Sequence, residues 1–383
     1  MLPGHHFPFP DVTPHTLVTK SAAWGCSMSG SDERQAFDSE IFEYWIPRLV
    51  ADGMDVNDVN TVRPQISSWD DWPGAWEAVG DNYLNLARDR LAYGSAITAG
   101  DAFVRASLCF HVGQVVANHV PEVKRELQRR KEAAFREAAP LLLPPAERLE
   151  IEHDGVTLPG YLRLPLSGSA PYACVILVPG LDSTKEDFIT LSEMCARRGL
   201  ASFAFDGPGQ GEVHRHAPLK EGYEASVLAV FAAIADRSEI DGDRIGLLGR
   251  SLGGYYIPRA AALEPRVKAL AVFGGAYDLG DWDNMPKTIL DGFLWATGET
   301  SEAAARAAMG PASLGDCIGA VTCPTLVVHG KRDGIFHYTQ AERIAAAIGD
   351  KAELVIEENG VHCCHNYGFE YRTLMIDWMA RTL

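Results

Sequence analysis

The stretch Arg244-Ile245-Gly246-Leu247-Leu248-Gly249-Arg250-Ser251-Leu252-Gly253-Gly254 decides the fold of this chain. Its first five residues predict a strand, and a helix-like stretch follows the glycines. Glycines on both sides of Ser251 permit a sharp strand-to-helix turn, on which a side chain would collide with neighbouring backbone. A serine on such a turn stands exposed above the sheet, at the positive end of the next helix. Ser251 is therefore a candidate nucleophile, and the alternative is a serine in a glycine-rich turn with no catalytic role.

Five further apolar runs of strand length surround this turn along the chain. They are Ala173 to Val178, Ala201 to Phe205, Ala269 to Phe273, Thr325 to His329 and Glu353 to Ile356, and mostly helix-length segments separate them. This alternation is typical of a mostly parallel sheet with helices on both faces. Before it, Arg148 to Arg163 predicts a β-hairpin, because Asp154-Gly155 supplies the positive φ angles that a tight turn requires.

Two residues that can activate a serine follow the last two of these runs. Asp333 comes after the fourth run and His362 after the fifth. A hydroxyl is a poor nucleophile unless a base removes its proton and a carboxylate orients that base. Because the carboxyl ends of parallel strands share one edge of the sheet, the order Ser251, Asp333, His362 predicts an α/β-hydrolase fold with these residues as a catalytic triad. His365, three residues further on, is the rival base.

The loop after the first of these runs is the expected place for an oxyanion hole. Gly180 permits a close backbone approach there. We expect two backbone N–H donors, that of Leu252 after the nucleophile and that of Leu181 in this loop. The neighbouring Asp182 would repel a developing negative charge unless it is protonated or turned away. It therefore either caps the next helix or handles a proton on the substrate.

The first 145 residues carry helical periodicity. Asp101 is a candidate helix cap, and Pro121 can open a later helix. Leu141 to Pro145 predicts a linker, since paired prolines cannot continue a helix. We expect a helical cap or dimerisation domain over residues 1–145 and a catalytic α/β domain over residues 146–383.

Residues 274–320 form an interval longer than a simple crossover between strands needs. The interval contains Trp282, Phe293 and Trp295. One interpretation is a lid over the site, and the other is a helix pair with ordinary aromatic packing.

Composition narrows the expected partners and cofactors. The chain has 383 residues and a formal net charge of −17, which opposes docking on nucleic acid or an anionic membrane. No apolar run approaches the roughly 20 residues of a membrane span. The first 30 residues lack the basic region followed by an apolar region that marks a signal peptide. The eight cysteines form no C-x-x-C pair, so they indicate neither a zinc site nor a disulfide framework. Asp206 to Gly211 lacks the lysine and the hydroxyl residue of a P-loop, so it does not indicate a nucleotide site. We expect a cytoplasmic protein with a small organic substrate and no metal or nucleotide cofactor.

Taken together, the motifs resemble one group of α/β-hydrolases, which includes 2,6-dihydroxypseudooxynicotine hydrolase, fungal pigment-pathway hydrolases and bacterial FrsA-like proteins. The likeness rests on Gly100–Ala106, Pro179–Glu186, Asp206–Gly211, Gly249–Gly254 and Gly360–Asn366. It implies hydrolysis of a carbon–carbon bond beside a carbonyl by the triad named above, in a homodimer whose N-terminal helices help to close the site. In the nicotine-degrading member, a glutamate that takes part in substrate handling stands where this chain has Asp182.

Other functions fit the same residues. The triad would also serve a carboxylic ester or thioester hydrolase, or an acyltransferase or cyclase of secondary metabolism that excludes water. A catalytically inactive ligand-binding protein is a third alternative. The joint presence of Ser251 on its glycine-rich turn, Asp333 and His362 argues against it. Carbon–carbon cleavage requires a proton on carbon, from Asp182 or from protonated His362. Ser251 would either form an acyl-enzyme or help to activate water.

Overall fold

An eight-stranded sheet dominates the computed structural model, which describes residues 41–280 and 282–383. Its strands are β1 (Ala146–His153), β2 (Val156–Arg163), β3 (Tyr172–Val178), β4 (Ala201–Phe205), β5 (Ile240–Arg250), β6 (Ala269–Phe273), β7 (Thr325–Gly330) and β8 (Ala352–Glu357). Their order across the sheet is β1-β2-β4-β3-β5-β6-β7-β8. β2 pairs antiparallel with β1 and β4, and the other neighbours pair parallel. The predicted mostly parallel sheet of an α/β fold is confirmed.

The β1–β2 hairpin turns where the sequence predicts. The φ angle is +50° at Asp154 and +75° at Gly155, so both turn residues adopt the left-handed conformation of a tight hairpin. The register pairs His153 with Val156 directly across this turn.

Twelve α-helices lie in the described part of the chain. They are α1 (Ile46–Ala51), α2 (Val56–Val62), α3 (Trp72–Ala92), α4 (Ala96–Val115), α5 (Pro121–Ala138), α6 (Ile189–Ala196), α7 (Glu224–Ala235), α8 (Gly253–Leu263), α9 (Lys287–Thr297), α10 (Glu302–Ala308), α11 (Thr339–Ile348) and α12 (Gly368–Thr382). Apolar residues of α7, α8 and α11 pack in one core with the sheet, and those of α6 and α12 pack in a second. Helices therefore cover both faces, which is why β4, β6 and β7 are buried along their whole length.

The N-terminal helices pack around apolar clusters, the largest of which also includes Tyr161 of β2 and Ile189 of α6. Trp72 and Trp76 of α3 and Phe110 of α4 are each at most 1% exposed, so these aromatics serve packing. The predicted cap at Asp101 is wrong, because α4 begins at Ala96 and Asp101 is an exposed residue within it. A Cβ atom on Gly100 would lie 2.9 Å from Leu141 Cβ, so glycine lets α4 approach Leu141 closely. α5 begins at Pro121 as predicted.

The interval over residues 274–320 contains α9 and α10. The rings of Trp282 and Phe293 lie 4.6 Å apart between centroids, and both side chains are at most 2% exposed. Trp295, near the end of α9, instead stacks on His214 with 4.3 Å between ring centroids. None of the helices described is long and apolar enough to cross a membrane.

Candidate active site

Ser251 occupies a strained turn between β5 and α8. Its φ angle is +56°, and its backbone N–H donates to the Phe273 carbonyl at 2.8 Å. A Cβ atom on Gly249 would lie 2.3 Å from the Gly253 carbonyl oxygen, and one on Gly253 would lie 2.2 Å from the Val178 carbonyl oxygen. Only glycine fits at either position, so the backbone has the form of a nucleophile elbow.

The structure brings Ser251, His362 and Asp333 into one hydrogen-bonded chain. His362 Nε2 lies 2.8 Å from Ser251 Oγ, and His362 Nδ1 lies 2.7 Å from Asp333 Oδ2. Asp333 Oδ1 accepts the backbone N–H groups of Ile335 at 2.8 Å and Phe336 at 3.0 Å. With Nδ1–H donated to the carboxylate, Nε2 is left free to accept the serine proton.

Asp333 and His362, the two buried ionisable residues of this hydrogen-bond chain, shift each other's pKa. Burial alone would raise the pKa of Asp333, but the charge of His362 and hydrogen bonds from both histidines hold it well below its usual range. Burial likewise would lower the pKa of His362, but the Asp333 carboxylate raises it. His329 supports the acid, since its Nε2 lies 3.1 Å from Asp333 Oδ2 and 2.8 Å from the Phe336 carbonyl oxygen. The arrangement favours the imidazolium that forms once a serine proton is transferred.

The rival base, His365, lies elsewhere. Its Nδ1 accepts from Arg372 Nη2 at 3.3 Å, and its ring touches that of His362 edge-on with 6.4 Å between centroids. Burial and the neighbouring cations Arg372 and Arg250 hold its pKa well below the usual range. His365 is therefore a neutral residue among buried charges, and His362 is the one beside Ser251.

The loop after β3 lies against the elbow. A Cβ atom on Gly180 would stand 3.0 Å from Ser251 Cβ and 3.6 Å from the Leu252 nitrogen. Among the hydrogen bonds of the residues described, none uses the N–H of Leu181 or Leu252 as donor. Both N–H groups are thus available at the place where an oxyanion hole is expected. Gln210 holds the loop by donating its Nε2–H to the Gly180 carbonyl at 2.5 Å.

Known proteins share this architecture. Residues 70–303 match the family model described as Esterase FrsA-like. This chain belongs to the FrsA-like family of α/β-hydrolases. It is 35% identical over 342 residues to the 2,6-dihydropseudooxynicotine hydrolase of Paenarthrobacter nicotinovorans, covering 88% of this chain and 91% of that relative. It is 31% identical over 283 residues to the 20-hydroxy-prefusarin hydrolase of Gibberella moniliformis, covering 68% of this chain and 67% of the relative.

A solved structure agrees with these matches. The crystal structure of the 2,6-dihydroxy-pseudo-oxynicotine hydrolase superposes on this FrsA-like hydrolase with a TM-score of 0.82 and 33% sequence identity, over 88% of this chain and 95% of that chain. The resemblance drawn from the motifs is confirmed, and a hydrolase of this family implies a small-molecule substrate.

Asp182 of the FrsA-like hydrolase is tied to the N-terminal helices. Arg48 Nη1 on α1 donates to Asp182 Oδ2 at 2.8 Å. Burial would raise the pKa of Asp182, but the Arg48 guanidinium lowers it, so the group is a carboxylate at neutral pH. The next helical turn is capped by Thr184, which forms a capping box with Asp187. Asp182 therefore neither caps that turn nor carries a proton to give.

Arg48 belongs to a buried ion cluster that joins α1 to the elbow. The cluster consists of Arg48, Asp52, Asp187, Arg250 and Arg372, each with a side chain at most 6% exposed. Arg250 precedes the nucleophile and donates to Asp52 at 2.8 Å and to Asp187 at 2.6 Å. Arg372 donates to the same Asp52 oxygen at 2.7 Å. Sequence reasoning missed this cluster, because its members lie far apart in the chain and share no motif.

A second set of carboxylates surrounds a lysine. Glu186, Asp206 and Glu212 bring their oxygens close enough together to hold a metal ion. The Lys185 ammonium already lies 2.7 Å from Glu186, 2.7 Å from Asp206 and 2.8 Å from Glu212. Its charge compensates the carboxylates, so these residues form an ion-pair network under the loop after β4.

Tyr44 is a further residue that no sequence signal marked. It belongs to the π-helical turn Ile41–Trp45, and its ring centroid lies 6.0 Å from that of His362. Burial raises the pKa of Tyr44 and the nearby Arg48 charge opposes this, so the phenol keeps its proton well above neutral pH. The Tyr44 ring thus lies beside that of the base, and its protonated hydroxyl group interacts with Arg48.

Proposed function

We propose that this FrsA-like hydrolase cleaves a carbon–carbon bond adjacent to a carbonyl, in a ketone or 1,3-diketone-like substrate such as an aryl or dihydroxypyridyl ketone. Ser251, His362 and Asp333 act as the catalytic triad, and the N–H groups of Leu252 and Leu181 form the oxyanion hole. The observation that carries the serine chemistry is the continuous hydrogen-bond chain from Ser251 Oγ through His362 to Asp333. The 35% identity to the nicotine-pathway hydrolase over 88% of the chain supports carbon–carbon specificity.

In the first half-reaction, His362 Nε2 removes the Ser251 proton while Oγ adds to the substrate carbonyl carbon. The two N–H groups stabilise the resulting oxyanion. Collapse of this intermediate breaks the carbon–carbon bond, and the bonding electrons leave on carbon as an enolate or ring-stabilised carbanion. The His362 imidazolium returns the proton to that carbon. The products of this step are a protonated leaving group and an acyl-enzyme at Ser251.

In the second half-reaction, water adds to the acyl group and His362 accepts the water proton. Ser251 then departs with that proton, and a carboxylic acid is released. The sum is addition of one water molecule across the broken bond. Asp182 supplies no proton in this scheme, because its pKa is lowered by Arg48. It holds the N-terminal helices against the loop after β3, Pro179 to Asp182, which we call the oxyanion loop.

A second candidate function is ester or thioester hydrolysis. The family model that matches residues 70–303 carries the description Esterase FrsA-like, which favours it. The same triad and oxyanion hole serve an ester, but the leaving group is then an alkoxide or thiolate and needs no proton on carbon. The acyltransferase or cyclase alternative differs only in the nucleophile that accepts the acyl group.

The test pairs wild-type protein with Ser251→Ala on an aryl ester and on an aryl 1,3-diketone, with products identified by mass. Diketone cleavage that Ser251→Ala abolishes is the expected result. Turnover of the ester alone makes the protein an esterase, and transfer of the acyl group to an added amine or alcohol makes it a transferase. Ser238→Ala is the control, since Ser238 is exposed and precedes the amino-terminal end of β5, whereas Ser251 follows its carboxyl-terminal end.

We also propose that residues 1–145, of which residues 1–40 lie outside the described part of the chain, act as a cap and that the protein works as a homodimer. The contacts of Arg48 and Asp52 with the oxyanion loop and Arg250 support the cap role. Analytical ultracentrifugation at assay concentration tests the dimer, and a fully active monomer would contradict it.

A further inference from the structure

A buried lysine lines a cavity beside the oxyanion loop. The cavity is open to solvent at its mouth, and Asn118, Lys124, Leu181, Asp182 and Trp295 are among its lining residues. Leu181 follows Gly180, which lies against Ser251. The cavity therefore ends on the same loop that supplies one proposed oxyanion donor.

Lys124 is unusual for a residue in such a wall. Its side chain lies on α5 and is 4% exposed. The Nζ atom donates to the carbonyl oxygens of Gln114 at 2.7 Å and Val115 at 3.2 Å. Within the described range no carboxylate forms an ion pair with it, and besides the two carbonyls Nζ faces the Trp295 ring at 5.2 Å from the centroid. A buried cation without a counter-ion is costly, so this site gains most from an anionic ligand.

The electrostatic surroundings agree with this geometry. Burial lowers the pKa of Lys124 to about 7, although the Asp182 charge opposes the shift. An anionic group in contact with Nζ would restore the charged form.

A second unsatisfied group lies in the same wall. The side-chain oxygen Oδ1 of Asn118 is buried and accepts no hydrogen bond from any residue that the structure describes. Buried polar atoms in folded proteins nearly always have a partner, and for an acceptor in a cavity wall that partner is a bound water or a ligand donor. The cavity thus offers one cationic donor and one acceptor.

We propose that this cavity binds an acidic oxygen of the substrate, a phenolate, enolate or carboxylate, through the Lys124 ammonium, while Asn118 accepts a hydrogen bond from a hydroxyl or N–H group of the same molecule. The inference rests on the proposed function and deepens it, because it names the substrate as a hydroxylated or acidic compound. An ionisable ring or dicarbonyl is also the kind of leaving group that can carry the electrons of a broken carbon–carbon bond.

The test uses binding, so that it does not depend on turnover. Full-length Ser251→Ala protein is titrated calorimetrically with three ring-matched probes: 4-nitrophenol, 4-nitrobenzoate and the neutral 4-nitroanisole. We expect at least one anion to bind about 10- to 100-fold more tightly than the neutral probe, as loss of a charged hydrogen bond predicts. The tighter anion distinguishes a phenolate or enolate site from a carboxylate site, and the nitrophenolate absorbance reports ionisation on binding.

Substitutions assign the preference to Lys124. Lys124→Gln, which can still donate to a backbone carbonyl, should abolish it, whereas Lys124→Arg should retain it and control for folding. Lys268→Gln is the matched control. Lys268 is exposed and directly precedes the amino-terminal end of β6, away from the carboxyl ends of the strands where the candidate site lies. Equal binding of all probes, no binding of either anion, or a preference that survives Lys124→Gln overturns the inference. Failure of the diketone assay with the anion preference intact overturns only the proposed reaction.

Discussion

Arg48 and Asp182 join the N-terminal helices to the loop after β3 across 134 residues of sequence, with 2.8 Å between Nη1 and Oδ2. The guanidinium also lies 3.6 Å from both Asp52 and Asp187. Because Asp182 is next to the proposed oxyanion donor Leu181, the position of that N–H group depends on a helix outside the α/β domain.

Replacing Arg48 by Met should therefore lower both stability and turnover. The substitution leaves Asp182 without its partner, and breaking a buried pair costs about 3–5 kcal/mol. We expect a clear drop in the thermal midpoint and a lower kcat in protein that remains folded. Arg129→Met serves as the control, because the Arg129–Glu126 pair is solvent-exposed. A variant at Arg48 with wild-type kcat and midpoint would show that the pair does not position the loop.

Asp333→Asn should change the pH profile in a defined direction. The base must be neutral to accept the serine proton, so kcat/KM rises as pH passes the pKa of His362. The Asp333 carboxylate raises that pKa. Its removal should lower the rate by about 10³- to 10⁴-fold and shift the acid limb of the profile to lower pH. The measurement is kcat/KM against pH for wild type, Asp333→Asn and the exposed-site control Asp350→Asn. An acid limb that stays in place in Asp333→Asn would assign it to another group.

Much of the site could be predicted from sequence, because each chemical motif directly follows a strand. Ser251 and Leu181 follow β5 and β3, and Asp333 and His362 follow β7 and β8. The carboxyl ends of parallel strands meet at one edge, so position along the chain translates into position in space. The preference for His362 over His365 rested on its shorter distance along the chain from β8. In the structure His362 Nε2 lies 2.8 Å from Ser251 Oγ, whereas His365 Nδ1 accepts from Arg372.

The contributions of the N-terminal helices could not be predicted. Tyr44, Arg48 and Lys124 lie on helices whose docking against the α/β domain is set by tertiary packing, and no local pattern encodes their partners. The role of Asp182 stayed open for the same reason, since its partner is Arg48. The start of α4 was also misplaced, since the helix begins at Ala96 and the cap signal at Asp101 lies within it.

Tyr44→Phe should separate the two candidate reactions. The Tyr44 ring lies 6.0 Å from His362 between centroids, and the phenol keeps its proton because burial raises its pKa. We predict that the Tyr44 hydroxyl donates to the enolate leaving group of the bound substrate, which an ester does not produce. We expect kcat for the diketone to fall about 10-fold or more, as for loss of one hydrogen bond to a charged group, with ester hydrolysis nearly unchanged. Equal loss on both substrates would indicate that Tyr44 only packs against the imidazole.

Gly253→Ala should disable the elbow through its backbone contacts. A Cβ atom at Gly253 would lie 2.2 Å from the Val178 carbonyl oxygen and 2.8 Å from that of Pro179. Neither carbonyl can yield without moving β3 and the oxyanion loop with it, so we expect at least about 2 kcal/mol of lost stability and a large fall in kcat. Gly74→Ala is the matched control, because a Cβ atom there meets nothing within 4 Å and Gly74 lies in α3, where alanine is favoured by about 0.5–1 kcal/mol. Thermal melts and ester turnover of both variants make the comparison. If Gly253→Ala matched wild type in both, the close packing of elbow and oxyanion loop would not be what holds Ser251 in place.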